Sequence, residues 1–167
     1  MLRLRRAVIE DAPLLRRWDE APQVVAADPN DDWEWETELL REPDWREQLV
    51  AELDGRPIGF VQIIDPARED SRYWGDAPPR LRAIDIWIGE VDALGQGHGT
   101  QMMRLALARC FADPGVEAVL IDPLASNTRA HRFYRRFGFR EVGPRRFGLD
   151  DCLVFRLDRA DWRGPQL

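Results

Sequence analysis

The sequence contains no lysine: all 24 of its basic residues are arginine. That absence excludes Schiff-base chemistry on a lysine of this chain and a phosphate loop built around one. Cysteine is nearly absent too. Cys110 falls on a helical pattern and Cys152 on a strand pattern, neither at metal-ligand spacing nor beside a histidine in sequence. Both read as buried free thiols rather than nucleophiles or ligands, and no metal site is expected. No apolar run approaches the roughly 20 residues a membrane span needs. Met1-Leu2-Arg3-Leu4-Arg5-Arg6 alternates like a strand and lacks the apolar centre of a signal peptide, so the expected location is cytoplasmic. A formal net charge of −6 disfavours nucleic acid and anionic membranes as partners, and suits a cationic small molecule.

What is present fits one domain over residues 1–167, long enough to bury a core without disulfides or metals. Residues 2–8 alternate apolar and arginine like a strand. Asp11 then reads as the cap of a short helix, with Pro13 in its first turn and Leu14, Leu15 and Trp18 at core-facing spacing. An acidic loop follows and leads from Trp33 into a short amphipathic helix stopped before Pro43. Two apolar strands, 48–53 and 57–64, flank Asp54-Gly55, a strong hairpin signal. After a polar loop carrying Tyr73 and Trp74, residues 81–88 are rich in β-formers. Helix 98–111, strand 116–121 and helix 127–137, closed by Gly138, come next, and strands 139–142 and 152–157 finish the chain. The expected order is β-α-α-β-β-β-α-β-α-β-β: a mixed α/β fold with one sheet, antiparallel in its first half, and helices on its faces.

Between the strand at 81–88 and the next helix lies Leu94-Gly95-Gln96-Gly97-His98-Gly99-Thr100. Glycines here free the backbone for a tight turn and let N–H groups approach an anion, while the following helix directs its positive end to the same place. A diphosphate is the natural ligand; the bland alternative is a flexible connection. A dinucleotide fold is disfavoured because no opening βαβ unit precedes the turn. That leaves an acyl-CoA as the leading diphosphate.

About 25 residues further on comes Asp122-Pro123-Leu124-Ala125-Ser126-Asn127-Thr128-Arg129-Ala130, then Tyr134 and Gly138-Phe139. Together with the glycine turn, this resembles the GNAT superfamily of acetyl-CoA-dependent N-acetyltransferases over residues 81–139. Within it, Ile84-Asp85 and the Asp-Pro-x-x-Ser-Asn-x-Arg-Ala run are most similar to the aminoglycoside 6′-N-acetyltransferases, though siderophore-type acyltransferases share much of the pattern. The resemblance implies acetyl-CoA as co-substrate, its pyrophosphate held by the backbone of Gly95, Gln96, Gly97, His98, Gly99 and Thr100. It implies that the strand edge at Ile86, Trp87 and Ile88 pairs with the pantetheine arm, and that Asn127 bonds the same arm. By the same resemblance Tyr134 protonates the departing thiolate, and Asp122 and Asp85 bind and deprotonate the acceptor amine.

The chemistry requires such groups independently. An ammonium must lose a proton before it attacks a thioester, and a carboxylate can take it. A fixed donor to the developing oxyanion is worth about 3 kcal/mol in other enzymes. Each residue also has a plainer role open to it. Asp122 could cap a turn, Asp85 could face solvent, Tyr134 could be core, and Asn127 could be a helix cap alone. His98 and His131 read as a turn residue and a helix-surface residue.

On the acceptor side, eight acids lie between Asp28 and Asp44 with Trp33 and Trp35 among them. Acids beside aromatic faces suit a polycationic sugar; the alternative is a solvated helix with its tryptophans turned inward. Two features oppose an aminoglycoside acceptor: Arg68, Arg72, Arg80 and Arg82 ahead of the strand at 81–88, and the lack of a tyrosine in 152–155. The expected product of this chain is an N-acetylated small cationic amine, made by a monomer or homodimer. The alternatives are acylation of a siderophore-type hydroxylamine or a peptide N-terminus, or a non-catalytic acyl-CoA-binding module.

Overall fold

The computed structural model describes residues 1–164. Strand β1 (Leu2–Arg6) leads into helices α1 (Ala12–Asp19), α2 (Pro22–Ala27) and α3 (Trp35–Glu38). Strands β2 (Arg46–Leu53), β3 (Arg56–Ile64) and β4 (Leu81–Ile88) follow, then α4 (His98–Ala112), β5 (Ala118–Ile121), α5 (Thr128–Arg136), β6 (Arg140–Phe147) and β7 (Asp150–Asp158). The seven strands form one sheet in the order β1-β2-β3-β4-β5-β7-β6. Pairing is antiparallel from β1 to β4, parallel between β4 and β5, and antiparallel beyond.

One face of the sheet packs on α4 and α5. Leu49, Ala51, Ile58, Val61, Ile63 and Ile84 meet Met102, Met103, Ala106, Leu107 and Cys110 of α4 and Tyr134 of α5. On the other face Val50 and Phe60 pack against Leu15 and Trp18 of α1 and Trp35 of α3. Period-2 alternation along β2 and β3 explains why consecutive residues fall into different clusters, and the bulge that leaves Ile58 unpaired opposite Ala51–Glu52 resets it, so that Ile58 shares a face with Val61 and not with Phe60. Two glycines permit close packing at these contacts. A Cβ on Gly59 would come within 2.6 Å of the Trp87 carbonyl oxygen and 2.7 Å of Met102 Cε, and one on Gly89 would fall inside the Trp18 indole.

Several local expectations are corrected. Pro22–Ala27 forms an additional short helix with Pro22 in its first turn. Its six residues are too few for a periodic signal, since an amphipathic pattern needs about three turns to be legible. Asp11 precedes α1 without capping it through its side chain. Its carboxylate instead accepts from both Arg5 guanidinium nitrogens at 2.8 Å and from the Val8 N–H at 2.8 Å, which ties β1 to the helix and holds its pKa below the ordinary value against the cost of burial. Strand β6 runs through Gly143 and Pro144 rather than stopping at Val142. It lies at the sheet edge, where a proline lacking an N–H is tolerated, and the register shift between Glu141 and Gly143 absorbs the irregularity.

Candidate active site

Parallel pairing of β4 with β5 covers only Leu81–Ala83 against Ala118–Leu120. The remainder of β4 has no partner on that side. The Gly89 N–H donates to Ile58 O at 2.9 Å and the Glu117 N–H donates to Arg80 O at 2.7 Å, which fixes the alternation. Odd-numbered peptides of β4 therefore face β3, and those of Ile84, Ile86 and Ile88 point into the gap. Trp87, expected on the open edge, has its peptide turned to β3. Its ring joins Trp33, Trp35 and Phe60 in an aromatic cluster. The short helix α2 crosses this region, and its Gln23 amide donates to Ile88 O at 3.1 Å and Gly89 O at 3.2 Å.

The glycine turn lies at the end of the gap. Gly95 (φ 70°) and Gly97 (φ 83°) adopt left-handed backbone, and Gly97 is the N-cap of the 15-residue α4. No side chain caps this helix, so the peptides of His98, Gly99 and Thr100 keep their N–H groups unbonded within it. A Cβ at Gly95 or Gly97 would meet nothing within 4 Å, so it is conformation, not space, that requires glycine there. The Gln96 amide donates to Asp92 O at 2.5 Å and steadies the turn. The geometry suits a diphosphate: several N–H donors at a positive helix end with open space before them. Gly97→Val is expected to weaken CoA binding roughly tenfold, because restoring a left-handed backbone at a β-branched residue costs about 1–2 kcal/mol. Titration of the variant with CoA checks this.

Asn127 is the N-cap of α5, its Oδ1 accepting from the Ala130 N–H at 3.2 Å. It also lines a cavity of about 90 Å³ with Ile86, Asp85, Asp122 and Tyr134. The sequence pattern that read Asn127 as a cap is thus correct, and the cap faces the gap. Tyr134 is buried, and burial followed by the Asp122 and Asp85 charges raises its phenol pKa, so it stays protonated near neutrality. His131, expected on the helix surface, is buried; its ring Nε2 lies 2.9 Å from Leu124 O and braces the loop that carries Asp122. Cys110 and Cys152 are buried and free, as expected, with burial raising both thiols to about 12. Among the described residues no cluster of His, Cys, Asp and Glu could hold a metal ion.

Asp85 and Asp122 form the junction of two spaces. Both line the small cavity and also a neighbouring cleft of about 280 Å³. Burial is the main reason that both carboxyls are raised to about 7. For Asp85 the Asp122 charge adds to it; for Asp122 the Tyr73 hydrogen bond opposes it and the Asp31 charge adds to it. Asp85 is held by a polar relay across the sheet: Gln48 Nε2 donates to Gln62 Oε1 at 3.1 Å, and Gln62 Nε2 to Asp85 Oδ2 at 3.1 Å. On Asp122, Oδ2 accepts from the Tyr73 hydroxyl at 2.5 Å. Neither Gln62 nor Tyr73 was a candidate from sequence. The register Gln48↔Gln62↔Asp85 would have exposed the relay, but register is a pairing property that one strand's sequence does not contain.

The cleft is strongly acidic. Asp31, Asp32, Glu34, Glu38, Glu69 and Asp70 line it along with Asp85 and Asp122, against two arginines, Arg41 and Arg46, that are both paired to Glu38 at 2.9 and 2.7 Å. The arginines expected to oppose a cationic acceptor lie elsewhere. Arg68 pairs with Asp44, Arg72 with Asp76, Arg80 with Glu117, and Arg82 with Asp65 and Asp113; none lines the cleft. The tryptophans divide their roles. Trp35 is buried, whereas Trp33 stacks on it with centroids 5.2 Å apart and also lines the cleft. Asp28, which accepts from Trp33 Nε1 at 2.8 Å, lines the small cavity and is raised to about 8, chiefly by burial.

A splayed parallel strand pair, a glycine turn at a helix N-terminus and half-buried carboxyls where the splay begins define an acyltransferase fold. The family described as Acetyltransferase (GNAT) domain matches residues 8–147, and the chain belongs to that family. It is 35% identical over 95 residues to aminoglycoside N(6′)-acetyltransferase type 1 of Klebsiella pneumoniae, a match that covers 56% of this chain and 47% of that protein. The chain thus spans about half the length of that curated relative. It is 25% identical over 118 residues to N-hydroxyputrescine acetyltransferase of Acinetobacter baumannii, covering 68% of this chain and 56% of that protein. Among solved structures, aminoglycoside acetyltransferase AAC(6′)-Ib in complex with coenzyme A and kanamycin superposes with a TM-score of 0.84 at 25% identity, covering 96% of each chain. Among the described residues no helix is long and apolar enough to cross a membrane.

Proposed function

We propose that this chain transfers the acetyl group of acetyl-CoA to a primary amine of a small polycationic acceptor, with an aminoglycoside 6′-amino group as the leading candidate. The observation that carries this reading is Asp85 and Asp122 at the junction of an acidic cleft and the small cavity under the open β4 edge. When bound, acetyl-CoA supplies a thioester carbonyl carbon open to attack by the amine. The peptides of Gly95, Gln96, Gly97, His98, Gly99 and Thr100 hold its pyrophosphate, and the edge peptides of Ile86 and Ile88 together with Asn127 align its arm. The Ile88 N–H, directed into the gap, is the donor for the carbonyl oxygen.

The acidic cleft attracts the cation, and Trp33 offers it a face. Asp122 and Asp85 hold the ammonium and accept its proton, directly or through water. Tyr134, protonated and lining the small cavity, returns a proton to the thiolate as it leaves. No covalent acyl-enzyme is required. We further propose that residues 1–167 act as a single domain in the cytoplasm, as a monomer or homodimer.

The sign of the pH dependence follows from the two raised carboxyls. They bind and deprotonate an ammonium only when ionised, so kcat/KM is expected to rise with pH through about 7. A bound ammonium favours the carboxylates, so the corresponding limb in kcat falls at lower pH. A profile flat from pH 5 to 8 would exclude both acids from amine handling. The reading as a whole is tested by thiol release from acetyl-CoA across aminoglycosides, polyamines, hydroxylamines and peptides. Release with polycationic amines alone supports it. Release with hydroxyputrescine alone would instead favour siderophore-type acylation, and CoA binding without any release would favour a binding module.

A further inference from the structure

Tyr73 holds none of the coenzyme-binding or amine-handling roles assigned above, yet its hydroxyl reaches the carboxyl of Asp122. It sits in the segment between β3 and β4, and its residue exposure is 40% although its hydroxyl contacts Asp122. The side chain therefore spans from the cleft rim to the carboxyl at the floor. Three restraints fix its direction. Its N–H donates to Glu69 Oε2 at 3.0 Å, while the Ser71 N–H donates to Oε1 of the same carboxylate at 3.0 Å. Its ring stacks on Phe147 of β6, with centroids 4.5 Å apart and planes 6° from parallel. Trp74 packs edge-on against both rings. The arrangement is a rigid strut with a polar tip.

The tip meets an all-anionic environment. Around the small cavity Asp122 is faced by Asp85 of β4, Asp28 and Asp31 of the segment after α2, Asp150 and Cys152 of β7, and Tyr134 of α5. No basic side chain lines that cavity among the described residues. Among the described residues the Tyr73 hydroxyl is the side-chain donor to Asp122. Burial and the neighbouring Asp122 charge hold the phenol proton firmly, so Tyr73 acts as a donor and not as a base.

We infer that Tyr73 is a positioning residue that fixes the orientation of the Asp122 carboxylate and favours its charged form without neutralising it. The inference rests on the reading of Asp122 as an amine-handling acid. A cation in the place of Tyr73 would stabilise the carboxylate equally well, but it would compete with the incoming ammonium. A neutral donor on Oδ2 leaves Oδ1 and the full negative charge available to the acceptor.

Tyr73→Phe keeps the stack on Phe147 and removes only the hydroxyl. With acetyl-CoA and kanamycin as probes, kcat/KM is expected to fall roughly tenfold, as for loss of one hydrogen bond to a charged group. Its acid limb should move up by about one pH unit, because a lost donor raises a carboxyl pKa. In an Asp122→Asn background, Tyr73→Phe should have little further effect. Tyr73→Leu, which also removes the stack, serves to separate packing from positioning through its lower melting temperature. A carbon-13 titration of the Asp122 carboxyl in the full chain, without substrate, reads the same shift independently of turnover. An unmoved Asp122 midpoint in Tyr73→Phe overturns the inference, as does an equal activity loss with and without Asp122. If the parent chain fails to acetylate kanamycin while the midpoint still moves, the acceptor assignment fails and the role of Tyr73 stands.

Discussion

Asp122→Asn is expected to lower turnover of a polycationic amine by about 10²–10³-fold while CoA affinity changes less than about twofold. Asparagine has nearly the same shape, and its carbonyl oxygen can still accept from the Tyr73 hydroxyl, so the site keeps its geometry. What is lost is one negative charge and the only oxygen pair on that residue able to take a proton. The turn at Gly95 and Gly97 lies on a different segment, and neither glycine lines the two spaces that Asp122 lines. Stability moves the opposite way to activity. Asp122 is half-buried beside Asp85, and Asp31 and Asp28 add to the repulsion, so removing its charge relieves electrostatic cost. The variant should melt at the same temperature as the parent or higher. Thiol release, a CoA titration and a melt on the same preparation check all three parts. A variant that turns over normally would remove Asp122 from the mechanism.

Gly89→Ala is expected to destabilise the fold by about 3 kcal/mol, the upper end for overpacking one methyl group. Gly89 directly follows β4 with its N–H bonded to Ile58 O, and the Trp18 indole of α1 occupies the space a Cβ would need. Trp18 cannot swing aside freely. It is 1% exposed, and its Nε1 donates to Glu90 at 3.1 Å. Relief therefore requires moving α1, and with it the start of the segment that carries Gln23 onto the open β4 edge. The checking measurement is a urea or thermal melt, with a second titration showing weaker CoA binding. An unaltered melt would mean that α1 packs more loosely than this contact implies. Gly97 offers the contrast: there a side chain has room, and only the positive φ resists it.

Asp54-Gly55 sits in the turn between β2 and β3, as its hairpin signal required. Helix α4 opens at the glycine turn, and α5 starts after Asn127 with Gly138 in left-handed backbone just past its end. These features are local, since each depends on a few neighbouring residues and on periodicity within one segment. The family pattern was legible for the same reason: the glycines, Asp122, Asn127 and Tyr134 fall within about 40 residues of one another.

What the sequence by itself determined was therefore most of the element types, the glycine turn ahead of α4 and the positions of the acids. Only the tertiary structure decided what surrounds those acids. It placed Arg68, Arg72, Arg80 and Arg82 in ion pairs outside the lining of the cleft, which removes one of the two features set against an aminoglycoside acceptor. It brought Gln62 and Tyr73, from two other segments, onto the two carboxyls, and it moved His131 from an expected surface to the core. The physical reason is that charge pairing, strand register and burial are relations between segments distant in the chain. A carboxyl's pKa and orientation depend on what the fold packs against it, and residue identity along one strand does not carry that information.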